Sequence, residues 1–144
     1  MFRNQREGHL DRGAAAVEMA LVLPMLLLVL FGLVDFGRGF NAQMQVTQAA
    51  REAVRVKALG GADSDANARV AAATGGLNTP PPSITTSTPC PAGDITDNAS
   101  VTVSYSFQFI TPLGPIARIF GASTLPGVGT VKTLSSTGVM RCSG

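Results

Sequence analysis

The sequence predicts an α+β protein: a long N-terminal helix that crosses a membrane and runs on as an amphipathic helix, followed by a small antiparallel β-sheet domain. Three observations predict it. The 21 residues from Ala14 to Val34 carry a single charge. Beyond them, apolar and small side chains recur every three or four positions as far as Ala58. Later in the chain, a segment alternates strictly between apolar and hydroxyl-bearing residues. These patterns mark, in turn, a bilayer-spanning helix, a helix with one packing face, and a half-buried strand.

The first element follows from where charge is missing. Charged residues make up only 14% of the chain, against 45% hydrophobic ones, where soluble domains carry about 25% charged residues. None lies between Met19 and Val34, and the longer run AAAVEMALVLPMLLLVLFGLV is broken only by Glu18 and Pro24. As a helix this run spans about 30 Å, the thickness of a bilayer's hydrocarbon core. A buried core helix is the competing reading, and the rest of the chain is too small to wrap so apolar a rod. A cleaved secretory signal needs a small-residue site after its apolar region. Here that region ends in Asp35-Phe36-Gly37-Arg38-Gly39-Phe40, and the small residues Gly13-Ala14-Ala15-Ala16 stand before it. A lipoprotein anchor is excluded because no Cys lies near the segment.

The helix is expected to continue past the membrane. Phe36, Phe40, Met44, Thr47, Ala50, Val54 and Ala58 recur at helical spacing, while Asn41, Gln45, Gln48, Glu52 and Arg55 occupy another face. From Ala14 to Leu59 such a helix is about 70 Å long, with Pro24, Gly32, Gly37 and Gly39 as candidate kinks. Its stripe serves packing against other helices or, at least equally for the part after Met44, packing against the chain's own C-terminal domain. Gly60-Gly61 ends it. Asp63-Ser64-Asp65 then caps a short second helix to about Ala73, closed by Gly75-Gly76. The tract Asn78-Thr79-Pro80-Pro81-Pro82-Ser83 holds neither helix nor central strand and reads as a turn or linker. Connection chemistry alone explains the Ser/Thr/Pro run from Thr79 to Pro89, with O-glycans on an exposed protein as the other reading, and the Asn98-Ala99-Ser100 sequon is discounted as a common accidental match.

The clearest strand is Ser100 to Ile110, where Val101, Val103, Tyr105, Phe107 and Phe109 alternate with Thr102, Ser104, Ser106 and Gln108. Thr111 to Pro115 turns the chain, Ile116 to Phe120 forms a short helical turn, and Thr130 to Arg141 reads as a further strand, with another at Ile84 to Thr88. A sheet this small is marginal as a core, which gives the two cysteines their interest. Cys90 and Cys142 both follow the span. A disulfide between them clips the terminal strand to the start of the sheet domain and requires an oxidising compartment. Two free thiols are the other reading, and neither a redox CxxC motif nor a zinc site has the spacing or the ligands.

Composition also restricts function. The 11 basic against 9 acidic residues leave too little positive charge for a nucleic-acid surface. The only His is His9, ahead of the span, and there is no Trp. Asp63, Asp65, Asp94 and Asp97 sit in turn-like or capping contexts, so an anchored envelope enzyme lacks the side chains to build an active site. No enzyme activity, cofactor, metal or small-molecule substrate is expected, and no phosphate-binding loop is present.

RGAAAVEMALVLPMLLLVLFGLVDFGRGFNAQMQVTQAAREAVR, Arg12 to Arg55, resembles the N-terminal hallmark of TadE-like proteins, pilin-like components of the tight-adherence (Tad, Flp-type) pilus and secretion machinery. SVTVSYSFQFITPLGPIARIFG and the final strand ending Val139-Met140-Arg141-Cys142 resemble, more weakly, that family's small extracytoplasmic domain. The resemblance implies a prepilin. An aspartic prepilin peptidase in the inner membrane would cut after Gly13, leaving Ala14 as the new N-terminus and Glu18 as the fifth mature residue. Met19 stands where major Tad pilins tend to carry an aromatic residue, which points to a minor pilin or pseudopilin, as does the length of the chain.

Glu18 has a physical reading beside the family one. An ionised carboxylate in hydrocarbon costs about 3 kcal/mol unless it is paired or reaches the interface. A free Ala14 ammonium, its own or a neighbouring subunit's, would neutralise it. Otherwise Glu18 faces the headgroups from the first turn, favoured by the helix dipole.

The expected organisation is a cytoplasmic prepilin-type leader over 1–13, the membrane-spanning and amphipathic helix over 14–59, a short helix and Pro-rich linker over 60–89, and an extracytoplasmic β-rich domain over 90–144. Arg3, Arg6 and Arg12 before the span balance Arg38, Arg51, Arg55 and Lys57 after it, so basic residues do not decide orientation. The cysteines and the pilin-like leader put the N-terminus in the cytoplasm. The expected partners are membrane lipid, the peptidase and other Tad pilus subunits. The alternative is an unprocessed single-pass membrane protein whose outer domain binds some partner.

Overall fold

The computed structural model describes residues 7–77, 80–91, 96–110 and 131–142, with side chains from residue 13 onward. The expected turn at Thr111 to Pro115 and helical turn at Ile116 to Phe120 lie outside these residues. Helix α1 spans Glu7–Ala58, 52 residues, or about 78 Å. It begins ahead of the expected Ala14, because nothing between Glu7 and Gly13 is proline and single glycines only weaken a helix. It runs as one helix through Pro24, Gly32, Gly37 and Gly39. Pro24 lacks the amide that the carbonyl of Ala20 would otherwise receive.

A Schellman motif ends α1. Gly60 adopts φ of 74°, its amide donates to the Lys57 carbonyl (3.1 Å), and the Gly61 amide donates to the Val56 carbonyl (2.9 Å). Helix α2, Asp63–Ala73, follows. The expected aspartate cap is not used: Ala62 occupies the N-cap without a side-chain bond, and the Asp63 carboxylate is instead drawn 2.6 Å from the Nζ of Lys57.

Three strands, β1 (Ser83–Thr88), β2 (Asn98–Phe107) and β3 (Lys132–Arg141), form an antiparallel sheet in the order β1-β2-β3. Strand β1 thus starts inside the segment read as linker, and a register shift between Ile84 and Thr86 bulges it at the edge. Strand β2 pairs along its whole length with β3, from Asn98 opposite Arg141 to Phe107 opposite Lys132. Its period-two pattern sends Ala99, Val101, Val103 and Phe107 into the core. Ser100, Thr102, Ser104 and Ser106 point the other way and stay partly exposed; there the Thr102 and Thr137 hydroxyls meet at 2.8 Å.

The core lies between this sheet and the second half of α1. Val46, Ala49, Ala50, Ala53, Val54 and Ala58 from α1 meet Ala66 and Val70 from α2 and the inner residues of β2. The stripe that α1 buries is therefore the expected one only after Met44, where packing on the chain's own domain is expected, and it takes in further small residues. Ala50, Val54 and Ala58 belong to both, but Phe36, Phe40 and Met44 are 74, 61 and 50% exposed, while Ala42, Val46, Ala49 and Ala53 are buried. The cause is distance. At Gly138 of β3 an added Cβ would stand 2.6 Å from the Ala50 carbonyl oxygen, so the sheet packs directly on backbone, and only small helix residues permit that.

Candidate functional site: an exposed apolar helix with a membrane-edge clasp

In the first half of α1 every residue from Gly13 to Phe31 is exposed, and the 18-residue apolar window in Gly13–Ala58 has no part buried inside the protein. Val17, Leu21, Met25 and Leu26 are 62 to 74% exposed. Water does not tolerate such a surface on so long a rod, whereas hydrocarbon does. Gly13 and Ala14 lie within α1, and both are exposed. Glu18 is one turn beyond Ala14 on the same side of the helix. Among the described residues no ion-pair partner of Glu18 is found.

At the far end of the apolar run, the first charged side chain turns inward. Asp35 is 4% exposed. Its Oδ1 accepts from the Nη1 of Arg38 at 3.2 Å and from the backbone amide of Ile110, three residues past the end of β2, at 3.1 Å. The Arg38 guanidinium lies 5.4 Å from the centre of the Phe107 ring, and Phe107 meets Phe109 edge to face at 5.2 Å. This clasp fixes the end of β2 to the helix where the hydrocarbon-length segment stops. The sequence signal that would have found it is weak: an acid at the boundary with an Arg three residues on.

The opposite end of the domain is held covalently. Cys90 and Cys142 form a disulfide across a sequence separation of 52, and the Cys142 amide donates to the Asp97 carbonyl at 2.9 Å. Close by, Lys57, read from sequence only as a positive charge following the span, is 5% exposed. Besides Asp63, its Nζ reaches the Gly61 carbonyl at 3.2 Å, so it ties the α1–α2 corner together.

The arrangement defines a class: a protein with one N-terminal membrane-spanning helix, whose continuation carries a small, disulfide-clipped α+β domain. Residues 13–55 match the family model described as TadE-like protein. That match identifies the anchor of this chain as TadE-like and the chain as a membrane protein associated with the Tad pilus. No curated protein and no solved structure gives a significant match.

Proposed function

We propose that this chain is a structural, pilin-like subunit of a Tad-type pilus or secretion apparatus, a minor pilin or pseudopilin. It is made as a prepilin in the cytoplasmic membrane, with its N-terminus in the cytoplasm and the disulfide-bearing domain outside. The observation that carries the reading is the register Gly13-Ala14, then Glu18, at the head of an exposed apolar helix within the TadE-like match.

Cleavage after Gly13 by a prepilin peptidase is the step that separates this reading from an unprocessed single-pass protein. The bond to be cut lies inside α1, so the peptidase must first unwind the helix locally. Glycine eases this, being about 1 kcal/mol poorer than alanine in a helix. Intact mass of the membrane-extracted protein is expected to show a chain starting at Ala14, and Gly13→Leu should keep the leader. A wild-type mass starting at Met1 or Phe2 would favour the unprocessed reading.

Glu18 then acts in assembly. Its carboxylate is unfavourable in hydrocarbon by about 3 kcal/mol, and the ammonium freed at Ala14, on the same subunit or the next, removes that cost. Glu18→Ala is expected to insert into the membrane normally and to lose co-purification with the other pilus subunits. Wild-type recovery of those subunits with the variant would refute the role.

A further inference from the structure

The end of the sheet domain nearest the apolar half of α1 is unusually apolar. Ile110 is 67% and Val131 56% exposed, and at the same level of α1, on sides turned away from the Asp35 and Gly39 face that meets the domain, Phe36 and Phe40 are 74 and 61% exposed. All four sit at nearly one height. Ile110 is bonded to Asp35. Val131 adjoins Lys132, which pairs with Phe107, and the Phe107 ring is placed 3.6 Å from where a Cβ of Gly39 would be. That height is the last turn of the 21-residue apolar run and the two turns after it. These exposed apolar residues therefore lie at the level where the membrane-spanning surface ends. Lys132, exposed, adds positive charge at the same level, where the Arg38 charge is balanced by Asp35 and anionic headgroups lie.

We propose that this end of the domain is a second, interfacial membrane contact: Ile110 and Val131, with Phe36 and Phe40, rest in the boundary between headgroups and acyl chains, and the Asp35 clasp holds them at that depth. The domain is then seated on the bilayer, with its strands rising away from it, and does not swing freely on its helix. The occupant is lipid because these apolar residues stand where the span ends, with Asp35 turned inward and paired to Arg38. The proposal rests on α1 crossing the bilayer and not on any role in a pilus.

The chain has no Trp, so single tryptophans report depth without interference. The full-length variants Met25→Trp, Ile110→Trp and Met140→Trp, all at exposed positions, would be reconstituted at low protein density. The vesicles would be phosphatidylcholine and phosphatidylglycerol carrying bromine either near the headgroup or near the acyl-chain end. Retention of the Cys90–Cys142 bond in each variant confirms the fold. Met140 pairs beside Ala99 at the far end of the sheet, about 30 Å from Ile110. Shallow bromine is expected to quench Ile110→Trp strongly and Met140→Trp hardly at all, while deep bromine quenches Met25→Trp. Ile110→Trp no more quenched than Met140→Trp would overturn the proposal, and an Ile110→Trp emission that shifts only as protein density rises would assign this end to a second copy of the chain. Loss of quenching at Met25→Trp would instead remove the span itself, and the proposal with it.

Discussion

Replacing Cys90 and Cys142 together by alanine should accelerate hydrogen exchange of the β3 amides by up to about three orders of magnitude, because the disulfide contributes about 4 kcal/mol for a loop of this length. The effect is large relative to what else holds the sheet. Among the described residues the core cluster contains six alanines and five valines, and the largest fully buried side chains are all valines. A buried valine contributes roughly 1.5 to 3 kcal/mol and an alanine much less, against a net stability for small domains of about 5 to 15 kcal/mol. The two strands that the bond helps to close are also the sheet's edges. Cys90 follows β1, Cys142 follows β3, and among the described strands only β2 has neighbours on both sides. Alanine is the right replacement because Cys142 is 6% exposed, and a serine hydroxyl there would add a desolvation cost unrelated to the crosslink. Adding reductant to the wild type should give the same acceleration. An increase of less than tenfold in both experiments would mean that packing on α1 alone closes the domain.

How legible this architecture was depended on what each element used for its packing. The span announced itself through missing charge, and β2 through alternation, since Val101, Val103 and Phe107 are large enough to mark an inner face. Strand β1, SITTST, has one apolar residue, because an edge strand with a mostly exposed pattern needs few. The face of α1 was legible after Met44, at Ala50, Val54 and Ala58, but not in full, for a related reason. Hydropathy favours Phe36, Phe40 and Met44, whereas the sheet requires small residues at Ala42, Ala49, Ala50 and Ala53 so that backbones approach. The large apolar residues were left to face outward. Asp35 and Lys57 were hidden by the same convention, since charge in a sequence reads as solvent-facing until a partner distant in sequence, Ile110, or across a corner, Asp63, is brought to it. In the candidate site, Gly13, Ala14 and Glu18 are expectations of the family resemblance, to which the structure adds only that they lie exposed on α1, and the depth of the domain relative to the membrane could not be read from sequence. It depends on the amide of Ile110 reaching a carboxylate 75 residues away in sequence.

Gly138→Ala should loosen the sheet from α1 by about 3 kcal/mol, and Gly138→Val by more. Gly138 is buried in β3 opposite Val101. A Cβ there would lie 2.6 Å from the Ala50 carbonyl oxygen, 3.0 Å from its carbonyl carbon and 3.0 Å from a Val54 methyl. Two of these three atoms are backbone inside a continuous helix, so they cannot turn aside as a side chain would. Relief requires lifting β3, and with it the Val101 and Val103 contacts that β2 makes on the same helix face. Val54→Ala in the Gly138→Ala background removes only the third contact and should restore little. Val139→Ala, one residue on and 63% exposed, should stay within about 0.5 kcal/mol of wild type. Hydrogen exchange is the measurement of choice, because α1 stays helical in the membrane and a global helix signal would not register the opening. Faster exchange should be confined to β2, β3 and the Ala49 to Val54 face. Wild-type exchange in Gly138→Ala would show that the helix and sheet can separate by a methyl group without loss, and the close approach that made the buried face of α1 alanine-rich would no longer explain it.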